Sequence, residues 1–97
     1  MTSKAEYRFY SDGTVDKIWK NENGQVHRED GPAYEYADGA RKWCKNGKFH
    51  REDGPAVVWE SGSYSYYLNG NFYTKEEYWK EIEGKERKND FKSKLLF

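Results

Sequence analysis

Asn23-Gly24-Gln25-Val26-His27-Arg28-Glu29-Asp30-Gly31-Pro32-Ala33 returns as Asn46-Gly47-Lys48-Phe49-His50-Arg51-Glu52-Asp53-Gly54-Pro55-Ala56. Every matched position is offset by 23 residues, and only the pair after Asn-Gly changes. A third start falls on the same period at Asn69-Gly70, but Tyr73-Thr74-Lys75-Glu76 then stands where His-Arg-Glu-Asp would be. A fixed period in this range marks a repeat array, in which each unit buries its apolar face by stacking on its neighbours.

Between the copies lie shorter turn signals: Asp12-Gly13, Asp38-Gly39 and Ser61-Gly62. Asp-Gly between alternating segments is a hairpin signal, because both central positions of a type I′ turn need positive φ. Tyr7–Tyr10 and Thr14–Lys20 read as an opening pair of strands, a diverged copy in which Asn21 aligns with Asn46 and Glu22-Asn23 are inserted. The first full unit then has strands over 33–37, 40–45 and 48–50. The second has them over 56–60, 63–68 and 71–73. Residues 1–6 are polar and expected to fray. Alternation along these strands assigns their faces. Tyr34, Tyr36, Val57 and Trp59, with Ile18, Trp43, Tyr66, Val26, Phe49 and Phe72, are expected to line the buried face. Glu35, Lys42, Cys44, Val58, Ser65 and Tyr67 fall on the other.

Asp-Gly-Pro reads as a tight corner. Proline pushes its predecessor toward extended conformations, glycine accepts backbone regions closed to other residues, and an acidic side chain can accept backbone hydrogen bonds across the turn. His27, Arg28, Asp30, Gly31 and Pro32, and their copies His50, Arg51, Asp53, Gly54 and Pro55, are therefore assigned to structural corners between units.

The pattern changes at Thr74. Thr-Lys-Glu-Glu is a capping box with Thr74 as N-cap and Glu77 at N3, and acidic Glu76 and Glu77 suit the positive end of a helix. The expected helix runs from Lys75 to about Glu83, with a weaker continuation beyond Gly84 over Lys85–Lys94 as the alternative, and Tyr78, Trp79 and Ile82 form its apolar stripe. Lys85, Arg87, Lys88, Lys92 and Lys94 make a basic tail that ends in Leu95-Leu96-Phe97.

Composition bounds the rest. Ninety-seven residues make a single domain, divided into hairpins over 7–73 and a helix with its tail over 74–97. Hydrophobic residues are 35%, and nine Tyr, five Phe and four Trp make up about half of them, so a few large rings must support a thin sheet. Seventeen basic residues balance seventeen acidic ones, which argues against a general nucleic-acid binder. A lone Cys44 permits no internal disulfide and no Cys-based metal site, and it fits a reducing compartment. The opening Met-Thr-Ser-Lys-Ala-Glu has no apolar signal segment, and no run approaches membrane-spanning length. The expectation is a cytoplasmic protein with no membrane partner.

Asp-Gly-x-x-x-Trp-x-x-Asn-Gly-x-x-His-Arg-Glu-Asp-Gly-Pro-Ala resembles MORN-like β-hairpin repeats, most of all the His-Arg-Glu-Asp-Gly-Pro-Ala variant of bacteriophage, giant-virus and some bacterial proteins. The ending Asn-Gly-x-x-Tyr-Thr-Lys-Glu-Glu-Tyr is similar to the close of such arrays. The resemblance covers Tyr7 to about Glu83, with departures over Tyr10–Asn21 and after Asn69-Gly70. It implies a mainly β fold: an open antiparallel meander of about three 23-residue hairpin repeats closed by one C-terminal capping helix. It also implies an interaction scaffold rather than an enzyme, and carries over no catalytic residue. A virus-encoded protein that binds and inhibits a host protein, such as a defence component acting in the host cytoplasm, is the functional expectation that follows.

The residues themselves weigh the alternatives. His27 and His50, one unit apart, would lie about 10–15 Å from each other at roughly 4.8 Å per strand. That is too far to share one metal, whose His nitrogens sit at roughly 2 Å. A corner needs one copy per unit, whereas a catalytic site rarely needs two. No metal, cofactor or catalytic residue is therefore expected. Tyr64, Tyr67 and Val58 form the candidate binding patch, for a protein partner or a second copy of the chain, and Lys85, Arg87 and Lys88 are the next candidates. The competing reading is a small-ligand binder, such as a nucleotide-sequestering oligomer with an aromatic pocket between subunits.

Overall fold

Two kinds of turn set the architecture. The computed structural model describes residues 3–95, with side chains as far as Lys85. Asn46-Gly47 and Asn69-Gly70 are two-residue turns in which all four residues take positive φ (49°, 82°, 51° and 84°), as a type I′ turn demands. They close the ladders β5 (Cys44–Lys45) with β6 (Lys48–Phe49) and β8 (Tyr64–Leu68) with β9 (Asn71–Tyr73). The Asp-Gly and Ser-Gly turns are different. Tyr10 N donates to Thr14 O, Tyr36 N to Ala40 O and Trp59 N to Ser63 O, so each of these loops holds three residues, with Gly13, Gly39 or Gly62 last at φ 90–97°.

One extra loop residue reverses the faces. A two-residue turn at Asp38-Gly39 would set Tyr34 opposite Trp43. The three-residue loop sets Tyr34 opposite Lys42, because β3 (Tyr34–Glu35) pairs with β4 (Arg41–Lys42) as Tyr34↔Lys42 and Glu35↔Arg41. Beyond β4, Lys42 faces Val57 of β7 (Val57–Val58), and Val57 faces Ser65 of β8. Directly paired residues share a side of the sheet. Tyr34, Lys42, Val57 and Ser65 therefore lie on one side, and Glu35, Arg41, Val58 and Tyr64 on the other. The expected face assignment is corrected accordingly: Lys42 and Ser65 join Tyr34 and Val57, while Tyr66 lies opposite them.

The result is mainly β: an open seven-stranded antiparallel sheet in the order β1-β2-β3-β4-β7-β8-β9, with β5-β6 as a separate ladder and one C-terminal helix. The outer strand β1 spans Lys4–Phe9 and pairs with β2 (Val15–Lys20) from Lys4↔Lys20 to Phe9↔Val15. Pairing thus begins inside the segment expected to fray. The Asn-Gly turns hang on their predecessors: Gly47 N donates to Val26 O, and Gly70 N to Phe49 O.

The capping box forms in both directions. Thr74 N donates to Glu77 Oε1 at 3.0 Å and Glu77 N to Thr74 Oγ1 at 3.2 Å. The helix α1 runs Lys75–Leu95, past the end expected near Glu83 and along the weaker continuation that the sequence allows beyond Gly84. A mid-helix glycine costs only about 1 kcal/mol relative to alanine, and good helix formers follow Gly84. Tyr78 and Ile82 pack on Tyr66 and Leu68, with Tyr73 beside them, as the core cluster. Smaller buried residues (Ala33, Ala40, Cys44, Ala56 and Val57) line the sheet. Trp59 and Phe72, expected inside, are 47% and 63% exposed, because the helix covers the opposite side. The basic side chains of Arg87, Lys88, Lys92 and Lys94 and the Leu96-Phe97 tip lie outside the described residues.

Candidate functional site

The two His-Arg-Glu-Asp-Gly-Pro corners make the same bonds. His27 Nδ1 accepts from Asn46 N at 2.9 Å, and His50 Nδ1 accepts from Asn69 N at 3.0 Å. Because Nδ1 is the acceptor, the neutral ring carries its proton on Nε2. That nitrogen lies 3.1 Å from Glu52 Oε2 in hydrogen-bond alignment at His50. At His27 it lies 2.8 Å from Glu29 Oε1, close but out of alignment. The Lys45 ammonium, assisted by His27, holds the Glu29 carboxyl below the usual carboxylate range. The His50 hydrogen bond, assisted by Lys85, does the same for Glu52.

Each arginine lies over an indole. Arg28 Cζ is 3.9 Å from the Trp19 ring centroid, and Arg51 Cζ is 3.8 Å from that of Trp43. Nε donates to Asp30 or Asp53 at 2.9 Å, and one terminal nitrogen to the carbonyl of Pro32 or Pro55. This sandwich requires the glycine before proline at both corners, and at Gly54 a φ of 159° adds to the requirement. A Cβ on Gly31 would stand 3.2 Å from Arg28 Cζ, and one on Gly54 3.1 Å from Arg51 Cζ. Both arginines and the Nδ1 of both histidines are thus engaged within the chain, while Asp30 and Asp53 bond to the arginines from the surface.

Little here points to covalent chemistry. Cys44 is buried, and that burial pushes its thiol up to about 11, so it is not a thiolate at neutral pH. Among the described residues, no group of three or more His, Cys, Asp or Glu is placed to hold a metal ion. An open hollow of about 450 Å³ beside Tyr10, Asp12, Asp16, Tyr36 and Asp38 carries three carboxylates. Asp12 takes the Thr14 amide, Asp38 the Ala40 amide, and Asp16 the Ala37 amide and the Tyr10 hydroxyl, so these acids serve the loops.

The side of the sheet away from the helix is different. Tyr34 and Tyr36 stack with centroids 5.3 Å apart and planes 6° from parallel. Lys42 Nζ sits 5.2 Å from the Tyr36 and Trp59 centroids, 5.7 Å from Phe49 and 5.8 Å from Tyr34. Phe49 meets Tyr67 edge-on at 5.2 Å, and Tyr67 meets Phe72 at 5.8 Å. One ammonium thus rests among rings instead of on a carboxylate, within a row that ends in exposed Trp59 and Phe72.

The patch expected from Tyr64, Tyr67 and Val58 is divided by the sheet. Tyr67 joins this aromatic row, whereas Val58 and Tyr64 pair with each other on the helix side, where Tyr64 meets Tyr66 edge-on. Lys85 reaches back to Glu52, Nζ to Oε1 3.6 Å. The Arg87 and Lys88 side chains lie outside the described residues. Reasoning from the residues missed the grouping of half-buried Lys42 and Phe49 with exposed Trp59 and Phe72. Reading Asp-Gly as the last two of three loop residues would have placed them together. Comparison with protein-family models, curated proteins and solved structures finds no match to this chain.

Proposed function

We propose that the chain is a non-enzymatic protein-binding module, a MORN-like array of hairpin repeats ended by a capping helix, and that its partner docks on the aromatic side of the sheet. The carrying observation is the Lys42 cluster bounded by exposed Trp59 and Phe72. Tyr and Trp are favoured at interface hot spots, because they bury large areas at low entropic cost. The matched bonds of the two corners support the array reading, since a repeated motif held by its own contacts leaves the sheet face free to vary. The phage and giant-virus setting of similar motifs makes a host protein, such as a defence component, the first partner to seek.

The test is affinity capture from a host extract, followed by titration of the captured protein against Trp59→Ala and Phe72→Ala. Loss of at least about tenfold in affinity with an unchanged melting temperature is expected, as for hot-spot truncations. Unaltered binding in both variants, with loss on Tyr64→Ala, would move the interface to the helix side. The Tyr34–Tyr36 stack beside Lys42 favours a second reading, a planar anionic ligand such as a nucleotide. Thermal stabilisation rising with nucleotide concentration as RT ln(1 + [L]/Kd) would select it.

A further inference from the structure

The outer edge of β1 is written to pair with itself. Tyr10 turns its N–H and C=O inward, donating to Thr14 O and accepting from Gly13 N. Antiparallel strands alternate in this respect. Lys4, Glu6 and Arg8 therefore bond to β2, and Ala5, Tyr7 and Phe9 aim their backbone groups out of the sheet. Ala5 is half-buried, but Tyr7 is 55% and Phe9 78% exposed. Natural sheets protect such an edge with charge, and here the charges alternate in sign as Lys4, Glu6, Arg8.

We propose that a second copy of this chain adds antiparallel to β1 about a two-fold axis at Tyr7. In that register Tyr7 meets Tyr7 of the other copy, Ala5 meets Phe9, and Glu6 meets Arg8. The outward groups of Ala5, Tyr7 and Phe9 then hydrogen-bond one another, so phase and charge agree. A shift that centres the axis on Glu6 sets Glu6 against Glu6 and Lys4 against Arg8. One that centres it on Arg8 sets Arg8 against Arg8. Like charges directly opposed disfavour both shifts. Glu6 already leans on Lys20 at 3.4 Å and stays 60% exposed, so it is open to a second cation. The axis runs perpendicular to the sheet, which makes one fourteen-stranded sheet from two of seven strands with both aromatic faces on the same side. This pairing is independent of the partner-binding reading and uses none of its residues.

The test is charge exchange read by sedimentation velocity over a concentration series into the millimolar range. Wild type should show concentration-dependent dimer. Glu6→Arg alone and Arg8→Glu alone each oppose like charges twice and should weaken the dimer about tenfold or more. An equimolar mixture of the two single variants restores both attractive pairs and should dimerise, as should the double variant Glu6→Arg/Arg8→Glu. Circular dichroism melts check that each variant remains folded. A wild type that stays monomeric throughout overturns the proposal and leaves the charges as edge protection. Dimer that survives in either single variant, or that fails to return in the mixture of folded variants, overturns the register.

Discussion

The corner at Arg28 and the corner at Arg51 share a sequence and a set of bonds, yet they are closed by different neighbours. Arg28 reaches Glu35 at 3.2 Å, and its corner is half-buried. One period later Val58 stands in place of Glu35, and the helix supplies Tyr78. The Tyr78 hydroxyl donates to Arg51 O at 2.5 Å and accepts from Gly54 N at 3.2 Å, and its ring, fully buried, lies 4.6 Å from Tyr66. Position 74, where a third arginine would fall, is the helix N-cap. Tyr66, one period after Trp43, is thus covered by a tyrosine from the helix instead of by a guanidinium. The motif supplies geometry, and what lies above it decides burial.

The comparison breaks most completely at Tyr78. Tyr78→Ala should destabilise by about 3–5 kcal/mol in urea unfolding, through the lost ring and the stranded Gly54 amide. Tyr78→Phe should cost about 1–2 kcal/mol, because that buried N–H loses its acceptor. Hydrogen exchange at Gly54 should then approach the rate at Gly31. A Tyr78→Phe protein as stable as wild type would remove the hydroxyl from the account.

The next effect belongs to the first junction. Cys44 O accepts from Arg28 N at 3.2 Å, and the corresponding acceptor for Arg51 is Tyr67. Burial raises the Cys44 thiol from 9.0 to about 11. Between those values an unfolded chain has lost a proton that the folded chain keeps. Stability should therefore be complete below pH 9 and fall as pH rises toward 11. A shift of this size corresponds to about 2–3 kcal/mol. Cys44→Ala should flatten that part of the pH profile, and what slope persists belongs to the raised tyrosines, Tyr10, Tyr34, Tyr36 and Tyr78.

The smallest contrast lies at the two glycines. Gly54→Ala should cost about 1–3 kcal/mol and Gly31→Ala about 1 kcal/mol, read as melting temperatures. Both press on a guanidinium, but Gly54 lies at φ 159° and is buried beneath Tyr78, while Gly31 has no such backbone constraint and more room to relax. Equal shifts would mean that neither the helix nor the backbone at φ 159° sets the second corner apart.

How far the sequence was legible follows from which signals are local. The Asn-Gly turns and the Thr74 capping box were readable because each is set by residues within a few positions of one another, and the corners were readable through their local part, the arginine-aspartate pair and the proline carbonyl. The faces of β3, β4, β7 and β8 were not, because Asp-Gly serves a two-residue and a three-residue loop alike, and one residue moves every side chain across the sheet. The partner of Tyr78 was hidden for another reason. Its hydrogen bonds run 24 and 27 residues back along the chain, and no periodicity announces a helix that returns to an earlier loop. The function of the exposed rings was legible only as a class of contact, since Tyr, Trp and Phe serve cores and interfaces equally well.

The strand order also governs the timing of assembly. Each strand of the seven-stranded sheet lies beside the next sheet member in chain order, so the pairing is local and contact order is low for a mainly β chain. Hairpins can close as the chain leaves the ribosome, each on the one before. The second corner is the exception: Arg51 and Gly54 wait for Tyr78, and until the helix arrives Tyr66 and Leu68 face water. During synthesis, the core cluster of Tyr66, Leu68, Tyr78 and Ile82 is the last to be sheltered, and a pause in that window would present this surface to chaperones.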